Sequence, residues 1–553
     1  MPTEPELVGE GEESLETAQG SDTALSVLVP EEPSNARLAL ILGCMWVGVV
    51  LTAIGMFINP KEVSGPKLLA SSDDLLPIVA TLLLPISTSF NSLGSLAWLG
   101  SAYLIGQAAS QPLCGRLTEI FGRRAGLIVA NSTFGIGTLI CGLANQEWEL
   151  LLGRALAGLG GGAIYAISTF VGSDLVPVRK RGVITGINNL CYGAGTGLGG
   201  VYGGWINDTL GWKWAFLIQV PIVFVAAVLV FFVVKVPTKQ VEKSNIRRVD
   251  YLGCVTLVAA LVLFLLGLNA GGNLVPWNSA LVFISLPLSV IFFGTFIYIE
   301  KHIALEPIIP LHLLRNRTVL AASLTYCFDH MSAFGVLYYI PVYIQLLGKS
   351  TTQAGLRLLP NSAGQAVGAL AAGFIMRATG TYFRLNIATH IFTVAGSGLL
   401  IHLSLNTPSW YPFLILGIIG LGFGGMLVIN LTAVISSVLR GEQALATSAS
   451  FVFRSAGSTL GVTFASAVFQ NVLREALWKR IGDVENADSI VARLRGNFQE
   501  ISQVDPSIRQ AVLDSYMVAL VGVFCTTFAM SCLAAIVSLF MKEHKLHSNL
   551  SRT

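Results

Sequence analysis

Charge is scarce in this sequence. Charged residues make up 12% of its 553 positions, against about 25% in an ordinary soluble domain. Hydrophobic residues supply 53%, and mean hydropathy is +0.69. So little polar surface cannot cover a chain of this length in water, so its solvent is largely lipid. The net charge of +3 gives nucleic acid nothing to bind. The eight cysteines (Cys44, Cys114, Cys141, Cys191, Cys254, Cys327, Cys525 and Cys532) lie inside apolar runs without ligand spacing. That pattern excludes a disulfide framework and a metal site, and reads as buried, inert thiols. There is no phosphate-cradling loop ending in Gly-Lys-Ser/Thr and no nucleophile elbow. The chain is therefore not expected to be an enzyme or to carry a cofactor. Any work it does must draw on an ion gradient, where one pH unit is worth about 1.4 kcal/mol per proton.

What is present is a succession of long apolar runs. A span needs about 20 residues, at about 1.5 Å each, to cross about 30 Å of hydrocarbon. Windows of that size fall at 38–54, 94–114, 126–144, 150–171, 183–204 and 213–236, then at 251–268 and 279–299. Six more follow at 319–346, 355–376, 385–404, 411–438, 443–470 and 514–541, which makes fourteen. With no strand-like alternation, backbone hydrogen bonding in lipid requires them to be helices. The 6+2+6 spacing predicts an N-terminal six-helix bundle (38–236), a two-helix insert (251–301) and a C-terminal six-helix bundle (319–541). Residues 1–37 are acidic and poor in core formers, which reads as a disordered tail with no cleaved signal peptide.

Lysine and arginine set the orientation. They collect after the even-numbered spans, as at Arg123 and Arg124, Arg179 to Arg181, Arg247 and Arg248, and Arg440. Both termini, including the tail 542–553, are therefore expected in the cytosol. Residues 472–513 carry mixed charge on the other side and are read as a small lumenal or external loop.

Three motifs carry chemistry. Gly115-Arg116-Leu117-Thr118-Glu119-Ile120-Phe121-Gly122-Arg123-Arg124 joins the second and third spans. Its glycines permit a tight turn and close helix approach. Glu119 and the arginines can form a cytosolic latch that makes and breaks as two halves rock. Leu152-Gly153-Arg154-Ala155-Leu156-Ala157-Gly158 puts an arginine into the fourth span. Along the fifth, Gly186, Gly195, Gly199, Gly200, Gly203 and Gly204 line a face that lets a neighbouring helix come close.

With these strings the chain resembles the major facilitator superfamily, Glu119 replacing the more usual aspartate. Together with Gly211 to Phe216, Tyr338 to Gln345 and Phe453 to Gly457, they are similar to the fourteen-span drug:proton antiporter group. The nearest likeness is to fungal vacuolar basic-amino-acid transporters. The resemblance implies a monomer that moves a small molecule, basic amino acids or lipophilic drugs, against protons. It implies a role in proton transfer for Arg154 and an antiporter motif in the fifth span. That motif usually has proline where Gly200 stands, which puts the associated kink in question. It also implies an acid in the first helix, at Asp73 or Asp74. Here the polar, helix-breaking stretch 55–73 intervenes. It reads as a retained intron, or else as a bulge splitting the first helix.

Charged residues at depth are the default functional candidates. Asp329 and His330 lie about 15 Å into their helix and about 100° apart around it. Asp329 suits an ammonium or guanidinium group. His330 is a candidate proton carrier, or a hydrogen-bonded packing residue. Arg454 shares a face with Ser450, Gly457, Ser458 and Gly461, where it either pairs with an acid or stabilises packing. The first expectation is proton-coupled antiport of basic amino acids into a vacuole. A plasma-membrane drug exporter and a non-transporting nutrient receptor are the alternatives.

Overall fold

A computed structural model describes residues 35–57, 96–176, 178–234, 250–271, 278–304, 307–309, 311–348, 357–482, 487–496, 501, 505–544 and 546. Asp73, Asp74, Trp277, Asn273, the acidic tail as far as residue 34, and most of 55–73 lie outside them. The first half holds α1 (Asn35–Phe57), α2 (Leu96–Phe121), α3 (Arg123–Leu143), α4 (Glu147–Leu175), α5 (Val178–Leu210), α6 (Trp212–Leu217) and α7 (Gln219–Val233). A hairpin of α8 (Tyr251–Ala270) and α9 (Ala280–His302) follows, then the short α10 (Leu311–Arg315). The second half comprises α11 (Arg317–Leu346), α12 (Leu359–Thr379), α13 (Phe383–Leu400), α14 (Tyr411–Ser436), α15 (Gln443–Ile481), α16 (Ala487–Gly496) and α17 (Pro506–Ser538). A helix underlies each of the fourteen apolar windows, α6 and α7 sharing the sixth.

Among the described residues, eight helices are long and apolar enough to cross a membrane. Their outer faces expose residues such as Phe224, Phe232, Phe283, Ile284 and Val290, as a lipid-facing surface requires. The remaining long helices, α2, α5, α11, α12, α13 and α15, are less apolar. They carry many of the buried polar side chains, Gln111, Asn188, Asp329, His390 and Ser450 among them. The cysteines depart from expectation in one respect. Cys44, Cys114 and Cys141 are buried, but Cys525 is exposed on α17.

Each half has its own core. Ile41, Met45, Tyr103, Phe134, Ile164 and Val223 pack together in the first. Ile340, Tyr343, Leu416, Leu477 and Phe524 do so in the second. The halves meet along two seams, α5 against α12 and α2 against α15. Both depend on missing side chains. A Cβ at Gly373 would lie 2.6 Å from the Gly182 carbonyl oxygen, and one at Gly115 would lie 2.4 Å from Ser448 Oγ. The α8–α9 hairpin packs on α2 and α15. There Leu257, Leu261 and Phe296 join Ala449, Leu113 and Val452.

Two extramembrane parts are tied down. At 39 residues and about 1.5 Å per residue, α15 outruns the bilayer. Val491 and Leu494 of α16 pack beside its Leu477 and Ile481, and the Tyr516 hydroxyl donates to the Leu494 carbonyl. At the opposite, arginine-rich face the chain folds back after α17. Glu543 accepts from the backbone N–H groups of Tyr382 and Phe383, both at 2.9 Å, capping the start of α13 where a helix welcomes negative charge. Burial pushes the Tyr382 phenol up to about 12, so it stays protonated and donates to the Lys542 carbonyl at 2.5 Å.

Candidate functional site

The latch motif is built by one glycine turn. Gly122 adopts φ 90°, a conformation glycine takes without strain, and so ends α2 and starts α3 within one residue. This turn also separates the charges. Glu119 pairs with Arg116 at 3.3 Å on its own helix. Arg123 is redirected to α4, where its Nε lies 3.0 Å from Asp174 Oδ2 and its Nη1 donates to Thr118 Oγ1 at 2.5 Å. Arg124 donates to the Phe231 carbonyl and covers that ring. These three pairings lie inside the first half, and the acid hydrogen-bonded to Arg123 is Asp174.

One contact between the halves lies beside the latch on the arginine-rich face. Arg181 of α5, 5% exposed, donates through Nη1 to Gln443 Oε1 of α15 at 2.8 Å. Farther along the α2–α15 seam, within the apolar spans, Ser455 donates to Gln111 Oε1, also at 2.8 Å. Arg181 and Gln443 thus tie the halves together at the arginine-rich face. A hydrogen bond from a charged group is worth about 1.5–3 kcal/mol. Arg181→Ala should therefore shift the population about tenfold or more toward the form open on that face. Spin–spin distances between labels on α5 and α15 would measure it, and an unchanged distribution would refute it.

The glycines of α5 serve two neighbours. A Cβ at Gly186 would meet the Ala369 carbonyl oxygen of α12 at 2.9 Å. One at Gly195 would meet Ala53 Cβ of α1 at 2.6 Å. Gly199, Gly200, Gly203 and Gly204 continue a helix that runs unbroken from Val178 to Leu210.

Arg154 is 4% exposed. Its Nη1 donates to the Gly55 carbonyl at 2.6 Å, in the last turn of α1, where carbonyls lack helical partners. Its guanidinium lies 4.8 Å from the centroid of the Tyr103 ring. Arg454 does not meet a carboxylate among the described residues. It sits 4.4 Å and 4.3 Å from the ring centroids of Tyr165 and Phe451, contacts that stabilise a cation in a dry setting. The small residues on its helix face do point inward. A Cβ at Gly457 or Gly461 would strike the Cys327 or Met331 carbonyl oxygen, at 2.2 Å and 2.3 Å. These two carbonyls bracket Asp329.

Asp329 is 2% exposed. Its partner is a histidine, though not the adjacent one. His330 turns away, its Nδ1 lying 2.9 Å from the Tyr326 carbonyl among the rings of Tyr326, Phe334 and Phe423. His390, from α13, places Nε2 3.3 Å from Asp329 Oδ2. The approach is at ion-pair distance but off the line of a hydrogen bond. The other ring nitrogen of His390, Nδ1, lies 2.9 Å from the Asn386 carbonyl oxygen. Asn386 Nδ2 reaches the Ser538 carbonyl at 3.5 Å. Sequence reasoning passed over His390. The signal was there: Asn386, Thr389, His390, Thr393 and Ser397 recur at helical spacing within an apolar run.

Residues 45–462 match the family described as Major Facilitator Superfamily. The chain is 34% identical to Multidrug resistance protein fnx1 of Schizosaccharomyces pombe, over 96% of this chain and 98% of that one. It is 31% identical to Vacuolar membrane amino acid uptake transporter fnx2 of the same yeast, over 97% and 89%. With Vacuolar basic amino acid transporter 2 of Saccharomyces cerevisiae it shares 33% identity, over 76% and 92%.

Proposed function

We propose, from the premise that the chain belongs to the Major Facilitator Superfamily and is a multi-pass membrane transporter rather than an enzyme, that it exchanges protons for basic amino acids across the vacuolar membrane. The observation that carries proton coupling is Asp329, a carboxylate sealed near the centre of α11. A group that titrates at depth can be loaded from one side and emptied to the other. The names of two relatives support the cargo and the membrane. In this reading the arginine-rich face is cytosolic, both termini lie there, and the closed seams describe the form shut to the cytosol. The protein works as a monomer, each half moving against the other.

Vacuolar membrane vesicles energised by ATP should accumulate labelled lysine, arginine and histidine, and a proton ionophore should abolish it. Accumulation that ignores the ionophore would sink proton coupling. The likeness to a protein named for multidrug resistance, spanning nearly all of both chains, favours a second reading, export of lipophilic drugs across the plasma membrane. That reading predicts drug resistance on overexpression and no lysine uptake.

A further inference from the structure

We infer that Asp329 and His390 together hold a single exchangeable proton, and that His390, not His330, is the coupling histidine. The inference rests on the proposed proton exchange and assigns it a site and a count.

It follows from which atoms face each other. His390 Nδ1 lies 2.9 Å from the Asn386 carbonyl oxygen, and a carbonyl can only accept. That nitrogen therefore carries hydrogen. The remaining nitrogen, Nε2, stands 3.3 Å from a carboxylate oxygen. With the imidazole neutral and Asp329 ionised, two unprotonated, electron-rich atoms would lie 3.3 Å apart around a buried net charge of −1. One added proton, on either atom, makes the contact attractive and the pair neutral. The proton belongs to the pair rather than to one residue. The structure is that of the loaded form, its halves tied together at the arginine-rich face.

The surroundings leave this role to no other group among the described residues. His330 is held by its own helix and by aromatic rings. Arg454 on α15 is stacked on rings, and the Tyr326 hydroxyl donates to the Leu427 carbonyl at 2.9 Å. Beside α11 and α13, α14 carries the buried Asn430, and α17 offers Ser531 to Ser332 of α11 and the Ser538 carbonyl to Asn386 of α13. None of these exchanges a proton readily near neutral pH. The pair is also mechanically placed. Gly457 and Gly461 press α15 on the backbone either side of Asp329, and α15 forms the seam with α2. Rocking at that seam therefore works directly on the turn of α11 that carries the carboxylate.

The test uses the full chain in proteoliposomes, with lysine accumulation driven by a pH gradient and lysine–lysine counterflow without one. One proton per lysine gives about tenfold accumulation per pH unit, and two would give about a hundredfold. The wild type should follow the first slope. His390→Gln should lose that accumulation and keep counterflow, and His330→Gln should keep both. The double variant D329N/H390Q, which leaves no buried charge, should unfold at close to the wild-type temperature and behave like His390→Gln. Retained gradient-driven accumulation in His390→Gln, or loss of counterflow in the well-folded double variant, would overturn the assignment. So would a two-proton slope. A wild type that neither accumulates nor exchanges lysine would refute the basic-amino-acid reading alone. The pair is then judged by the infrared difference spectrum of purified protein between acid and alkaline pH. A carboxyl or imidazole change that vanishes in D329N/H390Q sustains it, and one unaffected by that variant overturns it.

Discussion

Asp329→Asn should reach the membrane in normal amount and lose gradient-driven accumulation of lysine and arginine, while His390→Leu should hardly accumulate as folded protein. The asymmetry comes from what each change leaves behind. An asparagine amide can donate to Nε2 of a neutral His390, so no buried charge or orphan acceptor remains. Leucine at position 390 leaves a carboxylate 2% exposed with its counter-group gone. Breaking a buried pair from one side costs about 3–5 kcal/mol, a large share of the about 5–15 kcal/mol that holds a typical protein together. Membrane abundance by immunoblot and unfolding temperature in detergent separate the two. Equal abundance of both variants would show that the carboxylate finds other compensation. Full accumulation by Asp329→Asn would remove the acid from the transport cycle.

Gly457→Val and Gly461→Val should each be as damaging, by a different route. An added Cβ at these positions lies 2.2 Å and 2.3 Å from carbonyl oxygens of α11, and backbone cannot step aside as a side chain can. The whole helix must move. Overpacking of this kind costs about 1–3 kcal/mol and more where backbone is struck. It also shifts the turn bearing Asp329. Any protein that survives should therefore show impaired accumulation. Gly441→Ala is the control, because a Cβ there meets nothing within 4 Å. Normal unfolding temperature in both valine variants would contradict the close approach of α11 and α15.

The helices were legible because each must satisfy its own hydrogen bonds across an apolar stretch, and that leaves a run of defined length. The latch was legible as a glycine turn, and Asp329 as a lone acid inside a span. What the sequence did not disclose are relations between distant segments. Asp174, on the neighbouring α4, is the acid that hydrogen-bonds Arg123, reached because the chain turns at Gly122. Arg454 rests on Tyr165, a ring from the other half, where the sequence suggested an acid or packing. His390 was overlooked in favour of His330 because adjacency in sequence is conspicuous. Adjacent residues on a helix, however, point about 100° apart. The polar stripe of α13 announced a buried face without saying what it faced.

The hairpin of α8 and α9 has a consequence for the order in which the molecule comes into being. Ribosomes deliver it after the first half and before α15. When it enters the bilayer, α2 is the only one of its two supports yet made. Leu257 and Leu261 can settle against Leu113 while the place of α15 is still filled by lipid. The newborn first half thus acquires a side wall beside its open seam. When α15 arrives it meets a berth already bounded on two sides, by α2 and by α8.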